Sequence, residues 1–492
     1  MAICSCNLKS KICYLQSPSS IVNLQSPSLF VSLLMQNILA GLQQQQHFFS
    51  TGQTASYDFR RQQLLRLKDA LLQYEEEIYA ALHTDLKKNK EECWVTELGF
   101  TIAEINYALK KLQQWMRPKR VSTNLLNFPS SSQILYEPLG VVLIIGPWNY
   151  PLQLLLAPLV GAIAAGNCAM LKPSEFAPAT SALLQKMMAA AFDKNYISLV
   201  TGEGSEVIPQ MMNNFRFDHV FYTGSTEVGK IIYQMAAKQL SPVTLELGGK
   251  SPCIVESDAD LKVAAKRIAV TKFSNAGQMC VAPDYLLVHE SIREAFLKEL
   301  IKSIEAFYNA DAVRDYHFGK IVNAKQFHRL LQYLKEGDVI YGGGYNEETL
   351  FIEPTLLMNV HPGSGLLQQE IFGPLLPVIP WKNEEEVYTT INRNKEPLAL
   401  YVFTSSNTKA KKWMRSIAFG GGCINNASWH LTNHHLPFGG RGNSGIGAYH
   451  GHFSFEIFSH KKAVLNTPAW FDPALKYPPF KGRLGLLKKI IK

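Results

Sequence analysis

One cysteine of the sequence has the surroundings expected of a reactive thiol. Cys280 lies in Phe273-Ser-Asn-Ala-Gly-Gln-Met-Cys280-Val-Ala-Pro-Asp-Tyr285, between a turn of small residues and the strand-like run Tyr285-Leu-Leu-Val288. A thiol is partly ionised near neutral pH, and a neighbouring base or positive dipole raises the thiolate fraction. The alternative is a buried structural cysteine, since free cysteine is among the most buried residue types. The motifs around Cys280 favour the nucleophile.

A carboxylate and an amide provide groups that such a nucleophile requires. Glu246, in Val243-Thr-Leu-Glu-Leu-Gly-Gly-Lys-Ser-Pro252, follows an apolar run and precedes two glycines that permit close approach. It is the candidate base that activates water. Without the other motifs, the favoured interpretation would be an exposed glutamate at the end of a strand. Asn149, in Gly146-Pro-Trp-Asn-Tyr-Pro151, has a side-chain NH2 that can donate to an oxyanion. The alternative role for Asn149 is to form a turn beside Pro.

Two loops have the composition of a nucleotide-binding site. Gly224-Ser-Thr-Glu-Val-Gly229 follows a predicted strand and opens a predicted helix, where backbone N–H groups and the helix dipole would hold a pyrophosphate. The pattern is not G-x-G-x-x-G, and a helix-capping turn would look similar. Glu370 and Phe372, in Glu370-Ile-Phe-Gly-Pro374, are candidates to hold a ribose and to flank a nicotinamide, with an ordinary loop as the alternative.

Strands that alternate with helices would position these loops. Gly140-Val-Val-Leu-Ile-Ile145 predicts a buried strand, and an apolar helix is predicted after it at 152–165. Two further short strands are predicted at 169–172 and 217–222. The alternation predicts an α/β fold with a parallel sheet covered by helices. Ligands of such sheets gather at the carboxyl ends of the strands, where the turn Gly146-Pro147 lies.

The region before this core is helical in pattern. Apolar residues recur at helical spacing within 64–82 and again within 102–116, which predicts amphipathic helices. Pro118 ends the second pattern, and the polar run to Ser132 predicts an arm or a hairpin.

The first 50 residues differ from the rest, with a repeated Gln-Ser-Pro-Ser, a glutamine run and few charges, and we expect them to be poorly ordered. Leu29 to Leu34 is apolar like a signal-peptide core, but its lysines lie far upstream and no clear cleavage motif follows. A true start at Met35, with 1–34 dispensable, is a further expectation.

Composition limits the function classes. The chain has 492 residues, enough for roughly three domains, and no run of about 18 uncharged apolar residues marks a membrane span. The net charge of +9 comes without a long Lys/Arg block, which disfavours nucleic-acid partners and favours attraction of a phosphate-bearing cofactor. Eight scattered cysteines favour a reducing, cytoplasmic location, and none has zinc-type spacing, so no metal is assigned.

From about residue 55 to 465 the sequence resembles aldehyde dehydrogenases, and specifically their class 3 branch, which includes fatty-aldehyde enzymes. Class 3 character shows in the run Cys280 to Tyr285 and in Gly442-Asn-Ser-Gly-Ile-Gly-Ala-Tyr-His-Gly451. Met279 and Asn426 depart from the expected pattern, which affects expectations about substrate preference more than those about chemistry. The motifs that carry the resemblance are, in chain order, Gly146-Pro-Trp-Asn-Tyr-Pro151, Lys172-Pro-Ser-Glu175, Gly224 to Gly229, Leu245-Glu-Leu-Gly-Gly-Lys250, the Cys280 stretch, Glu370-Ile-Phe-Gly-Pro374 and Leu436-Pro-Phe-Gly-Gly440.

The resemblance implies a role for each candidate. Cys280 would attack the aldehyde, Asn149 and the Cys280 backbone N–H would stabilise the oxyanion, and Glu246 would activate the deacylating water. Lys172 and Glu175 would meet the adenosine ribose, and Glu370 the nicotinamide ribose. The remaining cofactor contacts implied are Trp148, Gly224, Ser225, Thr226, Gly229 and Phe372. The cofactor is NAD or NADP, with NAD favoured because a carboxylate such as Glu175 repels a 2′-phosphate.

The resemblance also implies the organisation of the chain. After the extension at 1–50, we expect helices and a cofactor domain at 51–245, a catalytic domain at 246–437, and a bridging and oligomerisation segment with a tail at 438–492. A homodimer is expected from the class 3 branch. The tail ends in Gly482-Arg-Leu-Gly-Leu-Leu-Lys-Lys-Ile-Ile-Lys492, which is too short to span a membrane; a cap over the substrate mouth and peripheral contact with a membrane surface remain open.

The function predicted is NAD(P)-dependent oxidation of medium- or long-chain aliphatic or aromatic aldehydes to carboxylic acids. One alternative is a CoA-acylating aldehyde dehydrogenase or acyl reductase that uses the same cysteine, although Glu246 favours hydrolysis by water. Another is a catalytically silent structural or binding homologue.

Overall fold

The computed structural model describes residues 27–308, 316 and 318–490, so the expectations for 1–26, including those for Cys4 and Cys6, lie outside the described residues. In chain order the strands are β1 (Lys119–Val121), β2 (Ser131–Pro138), β3 (Val141–Ile145), β4 (Cys168–Lys172), β5 (Ile197–Leu199), β6 (His219–Gly224), β7 (Val243–Leu247), β8 (Pro252–Val255), β9 (Tyr285–His289), β10 (Asp338–Tyr341), β11 (Tyr345–Asn346), β12 (Phe351–Ile352), β13 (Thr355–Met358), β14 (Leu375–Trp381), β15 (Ala399–Phe403), β16 (Gly421–Ile424), β17 (Gly445–Ile446) and β18 (Ser459–Asn466).

Helices cover these strands and include the two amphipathic regions predicted before the core, which are confirmed. In chain order they are α1 (Pro27–Ser50), α2 (Tyr57–Gln73), α3 (Glu75–Leu86), α4 (Lys90–Cys93), α5 (Gly99–Met116), α6 (Gln153–Ala165), α7 (Pro178–Ala191), α8 (Gly204–Asn214), α9 (Thr226–Lys238), α10 (Leu261–Phe273), α11 (Arg293–Tyr308), α12 (Ala324–Tyr333), α13 (Gly365–Gln368), α14 (Glu384–Ile391), α15 (Asn407–Ser416), α16 (His452–Ile457) and α17 (Leu484–Ile490).

The first sheet has the strand order β17-β7-β6-β3-β4-β5, and all its strands are parallel except β17. All five residues of β3 are buried, as expected of a central strand covered by helices on both faces. Helix α6 is buried at every position, which explains its uniformly apolar sequence. The predicted α/β class is therefore confirmed.

The second sheet has the order β10-β13-β14-β9-β8-β15-β16, and only its edge strand β10 is antiparallel to its neighbour. The chain passes from the first sheet to the second between Leu247 and Pro252. The predicted domain boundary at 245/246 falls within β7, which continues to Leu247, and the domain boundaries stay a prediction.

A small sheet is built from two distant segments. The predicted hairpin is confirmed as β1 and β2, which pair antiparallel, and β18 then pairs with β2 along eight residues, from Ser459 with Pro138 to Asn466 with Ser131. The expected bridging segment 438–492 thus supplies only β18 to this sheet, while β17 joins the first sheet. The division into three functional parts stays a prediction.

Helix α1 corrects the expectation of poor order up to residue 50. Ile38 and Leu42 are buried in the main core, and Gln45, one turn further on the same face, is also buried. Gln45 Nε2 donates to Ala169 O at 2.9 Å and to Ser198 Oγ at 3.1 Å, at the edge of the first sheet. One face of α1 is therefore packed on the protein, although most of its other described side chains are exposed.

Within the described ranges, every helix is too short or too polar to cross a membrane. The same ranges contain no cluster of three or more His, Cys, Asp or Glu side chains arranged to hold a metal ion.

Candidate active site

A cavity of about 670 Å³ lies where the parallel strands of the first sheet end and the strands of the second sheet begin. This position follows from the chain path, since the loops after β3, β6 and β7 come from the carboxyl ends of the first sheet. The sequence-predicted residues that line the cavity are Trp148, Asn149, Gly224, Ser225, Thr226, Glu246, Cys280, Glu370 and Phe372.

Cys280 lies in a loop that begins with an unusual backbone. After α10 ends at Phe273, Asn275 and Ala276 adopt left-handed conformations with φ of 50° and 51°. Gly277 follows, where a side chain would approach Gly373 O to 2.2 Å, so only glycine permits the close contact with the Phe372 loop. The left-handed turn directs the chain from the helix into the cavity.

The Cys280 thiol is half-buried and protonated at neutral pH. Burial raises the pKa of Cys280 to about 12, and the carboxyl groups of Glu370 and Glu246 add to this. The backbone N–H groups of Cys280 and Val281 act in the opposite direction, and they face the sulfur as donors would in an oxyanion site. Formation of the thiolate therefore requires a proton acceptor or a bound group that changes the local charge.

Glu246 is the base candidate, and it lies on β7 opposite Gly445 of β17. Its side chain is 3% exposed, and neither carboxyl oxygen has a hydrogen-bond partner among the described residues. Burial raises the pKa of Glu246 well above its ordinary value, which favours the neutral form of the carboxyl group. A buried acid with two free oxygens facing a cavity can accept a proton from a water molecule once it ionises.

Asn149 retains one amide N–H for a ligand. Its Nδ2 donates to Gln278 O at 3.0 Å, and an amide group has two donors. The backbone oxygen of Asn149 accepts from Asn275 Nδ2 at 2.9 Å. The turn that contains Asn149 and the loop that contains Cys280 are thus hydrogen-bonded to each other, which fixes the oxyanion donor relative to the thiol.

A buried ion pair that we did not predict supports the Asn149 turn. Lys88 Nζ lies 2.7 Å from Glu97 Oε1, both side chains are fully buried, and the same Nζ donates to Asn149 O at 2.9 Å. Glu97 Oε2 accepts from Leu152 N at 3.0 Å and from Gln153 N at 3.1 Å. Lys88 and Glu97 lie between the two segments predicted as helices, 64–82 and 102–116, where the sequence shows no motif that would have identified them.

A second buried ion pair fixes the loop that contains Glu370. Lys250 Nζ contacts Asp284 Oδ2 and donates to Leu366 O at 2.9 Å and to Gln369 O at 2.8 Å. Asp284 Oδ1 accepts from Ile371 N at 3.0 Å. Both residues stand inside the motifs quoted above, and their charge at otherwise apolar positions was the signal that could have revealed them.

Glu370 presents a carboxyl oxygen suited to a ligand hydroxyl. Its carboxyl group lies over Gly248, where an added side chain would come within 1.9 Å of Oε2. Its Oε1 is buried and has no hydrogen-bond partner within the described chain. Burial and the negative charge of Asp284 raise the pKa of Glu370 to about 8. Ribose hydroxyls are donors of the kind this orphaned oxygen requires.

The loop before α9 fits the phosphates of a dinucleotide. Ser225 caps the helix, with its side chain accepting from Val228 N at 3.4 Å, and the residues from Gly224 to Glu227 line the cavity. Trp148 and Phe372 meet edge to face with ring centroids 5.2 Å apart, next to these groups. The residues present therefore fit a nicotinamide dinucleotide.

Three predicted cofactor residues do not line the cavity itself. Lys172 Nζ contacts Glu175 Oε2 at 3.0 Å, and Glu175 Oε1 accepts from Gly204 N at 3.0 Å at the start of α8. This pair lies at the carboxyl end of β4, two strands from β6 in the first sheet. Gly229 lies beneath Leu247, where a side chain would come within 2.6 Å, so it allows α9 to pack closely on the sheet.

The fold and the sequence both match known proteins. The aldehyde dehydrogenase family profile matches residues 40–464. The chain is 44% identical over 447 residues to the 4,4′-diaponeurosporen-aldehyde dehydrogenase of Staphylococcus aureus (strain NCTC 8325 / PS 47), covering 90% of this chain and 97% of that protein. It is 43% identical to aldehyde dehydrogenase family 3 member H1 of Arabidopsis thaliana, covering 90% of this chain and 92% of that protein.

Two further similarities concern the cofactor and the fold. The chain is 41% identical to the dimeric NADP-preferring aldehyde dehydrogenase of Canis lupus familiaris, covering 90% of this chain and 98% of that protein. A solved structure described as the substrate-bound state of Staphylococcus aureus AldH superposes with a TM-score of 0.90 at 43% identity, covering 92% of this chain and 99% of that one.

The chain belongs to the aldehyde dehydrogenase family, and the predicted class 3 branch is confirmed. It is an oxidoreductase that converts aldehydes to carboxylic acids with NAD or NADP.

Proposed function

We propose that the protein oxidises medium- or long-chain aliphatic or aromatic aldehydes with Cys280, Glu246 and Asn149 as its catalytic residues. The observation that carries the proposal is that these three side chains, from two loops and the end of β7, line one cavity together with most of the predicted cofactor residues. The Staphylococcus aureus relative is named a 4,4′-diaponeurosporen-aldehyde dehydrogenase, which supports an aldehyde substrate.

The chemistry of the three residues follows from their surroundings. Cys280 Sγ adds to the aldehyde carbon, and the free Asn149 N–H together with the Cys280 backbone N–H stabilises the oxyanion. When bound, the nicotinamide supplies the hydride acceptor. Glu246 then takes a proton from the water that attacks the resulting thioester, and cleavage of the C–S bond releases the carboxylic acid and the cysteine. Because the pKa of Glu246 is raised, its basic form and hence deacylation should increase with pH.

The cofactor site uses the remaining predicted residues. Gly224, Ser225 and Thr226 hold the pyrophosphate, and Glu370 accepts from the nicotinamide ribose. The Lys172–Glu175 pair and the packing of α9 through Gly229 serve the adenosine half. NAD is preferred over NADP, since Glu175 would repel a 2′-phosphate.

The protein is a cytoplasmic homodimer in this proposal, and its tail contacts membrane surfaces. The dog relative is named dimeric, which supports the first part. Trp470 is 78% exposed and Leu484 63% exposed, in a segment where lysines and arginines outnumber acidic residues. Light scattering would measure the mass in solution, and sedimentation with anionic vesicles, with and without residues 467–492, would test the tail.

An assay of NADH formation with hexanal, decanal and benzaldehyde tests the activity. Cys280→Ser should abolish turnover and leave NADH binding unchanged, because only the thiolate is lost. Cys423→Ser is the matched control, since Cys423 is also half-buried and lies outside the cavity lining. Oxidation that persists in Cys280→Ser would refute the assignment. Acyl-CoA as the product in the presence of CoA would favour the acylating alternative, and a wild-type protein that binds NADH without turnover would favour the silent homologue.

A further inference from the structure

Four charged side chains form a buried cluster behind the Glu370 loop. They come from the β7–β8 connection, from α10, from the start of β9 and from the loop before β14. Lys250 and Asp284 are in contact, and both also bind the backbone of the Glu370 loop. The buried charge cluster consists of Lys250, Lys272 and Asp284, whose side chains are buried, and of Glu370, which is partly exposed but has a buried Oε1.

Lys272 has no assigned function in the chemistry described so far. Its side chain is 0% exposed, and its Nζ has no hydrogen-bond partner in the part of the chain that the structure describes. Burial lowers the pKa of Lys272 to about 8, and Asp284 and Glu370 lie close enough to raise it against this effect. Burial of an unpaired ammonium group is unfavourable, and an apolar residue at this position of α10 would have a smaller free-energy cost of burial.

The other cations near Glu370 already have partners. Lys250 is bound to Asp284 and to two carbonyl groups. Arg329 donates to Glu370 O at 3.3 Å and to Ile371 O at 2.7 Å, both backbone atoms. Lys272 Nζ and Glu370 Oε1 therefore share one feature: they are buried, oppositely charged when ionised, and without hydrogen-bond partners among the described residues.

We propose that Lys272 is a positioning residue of the cofactor site, and that its buried ammonium keeps Glu370 ionised when the carboxylate accepts hydrogen bonds from a ribose. The inference rests on the proposed function in one respect, the assignment of Glu370 to the nicotinamide ribose. With both lysines charged the cluster is neutral, two cations against two carboxylates. Without Lys272, one lysine would face both Asp284 and Glu370.

The sign of the pH effect follows from this charge balance. Ribose hydroxyls donate to the ionised form of Glu370, so affinity for the cofactor falls about tenfold per pH unit below the pKa of Glu370. Loss of the Lys272 charge raises that pKa. Affinity should therefore fall at neutral pH and recover at high pH, where Glu370 is ionised in either protein and Lys272 itself is neutral. Asp284, Lys250 and Arg329 remain unchanged and bias both proteins equally.

The inference is tested by NADH binding to the full chain, which does not depend on turnover. Binding is measured by the fluorescence of NADH from about pH 6 to about pH 9.5. We expect Lys272→Met and Lys272→Gln to weaken binding about tenfold near pH 7 and less than about twofold at the highest pH. Lys272→Arg, which retains the charge, should stay within about twofold of the wild type throughout. Lys409→Met is the control, because it removes a lysine charge beside a buried carboxylate, Glu256, outside the cavity lining.

A double-variant cycle separates an electrostatic role from a structural one. In the Glu370→Gln background, Lys272→Met should have no further pH-dependent effect, since the group it acts on is gone. ADP lacks the nicotinamide ribose, so it should bind equally to the wild type, to Lys272→Met and to Glu370→Gln. A loss of affinity that is independent of pH, or that extends to ADP, would mean that Lys272 only supports the fold and would overturn the inference.

A wild-type measurement keeps the inference testable if the neutral Lys272 variants do not fold. Calorimetry of NADH binding in buffers of different ionisation enthalpy should show release of up to about one proton per site near pH 7, because binding ionises Glu370. ADP should release none, and absence of release with NADH would refute the inference. If Glu370→Gln binds NADH as the wild type does, the assignment of Glu370 in the proposed function is wrong instead.

Discussion

Replacement of Glu246 by Gln separates its chemical role from its structural one. Glu246 is buried, has a raised pKa and lacks a hydrogen-bond partner within the described ranges, and Gln has nearly the same shape and no charge. The fold should therefore be retained, while the base that activates water is lost. We expect NADH to appear as a burst of about one equivalent per site, followed by a steady state slower by roughly 10²- to 10⁴-fold.

The same substitution should stabilise the protein, by an amount that depends on pH. The pKa of Glu246 is raised in the folded state, so the folded protein binds this proton more tightly than the unfolded chain does. Stability is therefore lost as the pH rises above the ordinary value of 4.5 and until it reaches the raised pKa. The slope is about 1.4 kcal/mol per pH unit for one group. Gln does not titrate, so the free energy of unfolding of the variant should exceed that of the wild type by an amount that grows with pH at this slope.

Two measurements check the prediction together. Stopped-flow absorbance records the burst, and intact-protein mass spectrometry should find the acyl group on Cys280. Urea unfolding between about pH 5 and about pH 8 compares the free energies of unfolding. The matched control is Glu206→Gln on the exposed face of α8, which should change neither quantity.

Two results would refute the reasoning on Glu246. A uniform loss of rate without burst or adduct would mean that Glu246 deprotonates the thiol or supports the fold, and that another group drives deacylation. Stability differences that do not vary with pH would mean that the carboxyl group is ionised in the folded protein, contrary to its burial.

Three further predictions concern the support of the site. Glu97→Gln leaves Lys88 buried without its counter-charge and should cost about 3 to 5 kcal/mol in the free energy of unfolding, with a lower kcat because the Asn149 turn loosens. Glu175→Gln should raise the NADP-to-NAD ratio of kcat/KM about tenfold, or about 1.4 kcal/mol, and an unchanged ratio would remove Glu175 from cofactor selection. A chain that starts at Met35 should melt like the full chain, whereas one that also lacks the rest of α1 should melt lower because the contacts of Gln45 are lost.

The sequence predicted the groups that meet in the cavity because each follows a strand in a short motif. Asn149 follows β3, whereas Glu246 and Gly224 lie at the carboxyl ends of β7 and β6, and parallel strands bring their carboxyl ends to one edge. Periodicity and turn residues are sufficient for this part of the fold, since both are local properties of the chain.

The parts that were missed depend on contacts between distant residues. Lys88 and Asn149 are 61 positions apart, and no local pattern distinguishes a buried lysine from a solvated one. Few charges and many glutamines predict disorder for the segment that contains α1, and this prediction cannot include a partner from elsewhere in the chain. The edge of the parallel sheet provides that partner and stabilises a helix that has no Lys, Arg, Asp or Glu.

The pairing of β17 with β7 has a consequence for the timing of activity during synthesis. Glu246 lies opposite Gly445, and β18 completes the small sheet with residues up to Asn466. A ribosome that has released every motif residue through Phe372 has therefore not yet supplied the strand that borders Glu246. The nascent chain should bind neither aldehyde nor cofactor productively until its last tenth has emerged, so a reactive thioester would form only on a finished enzyme.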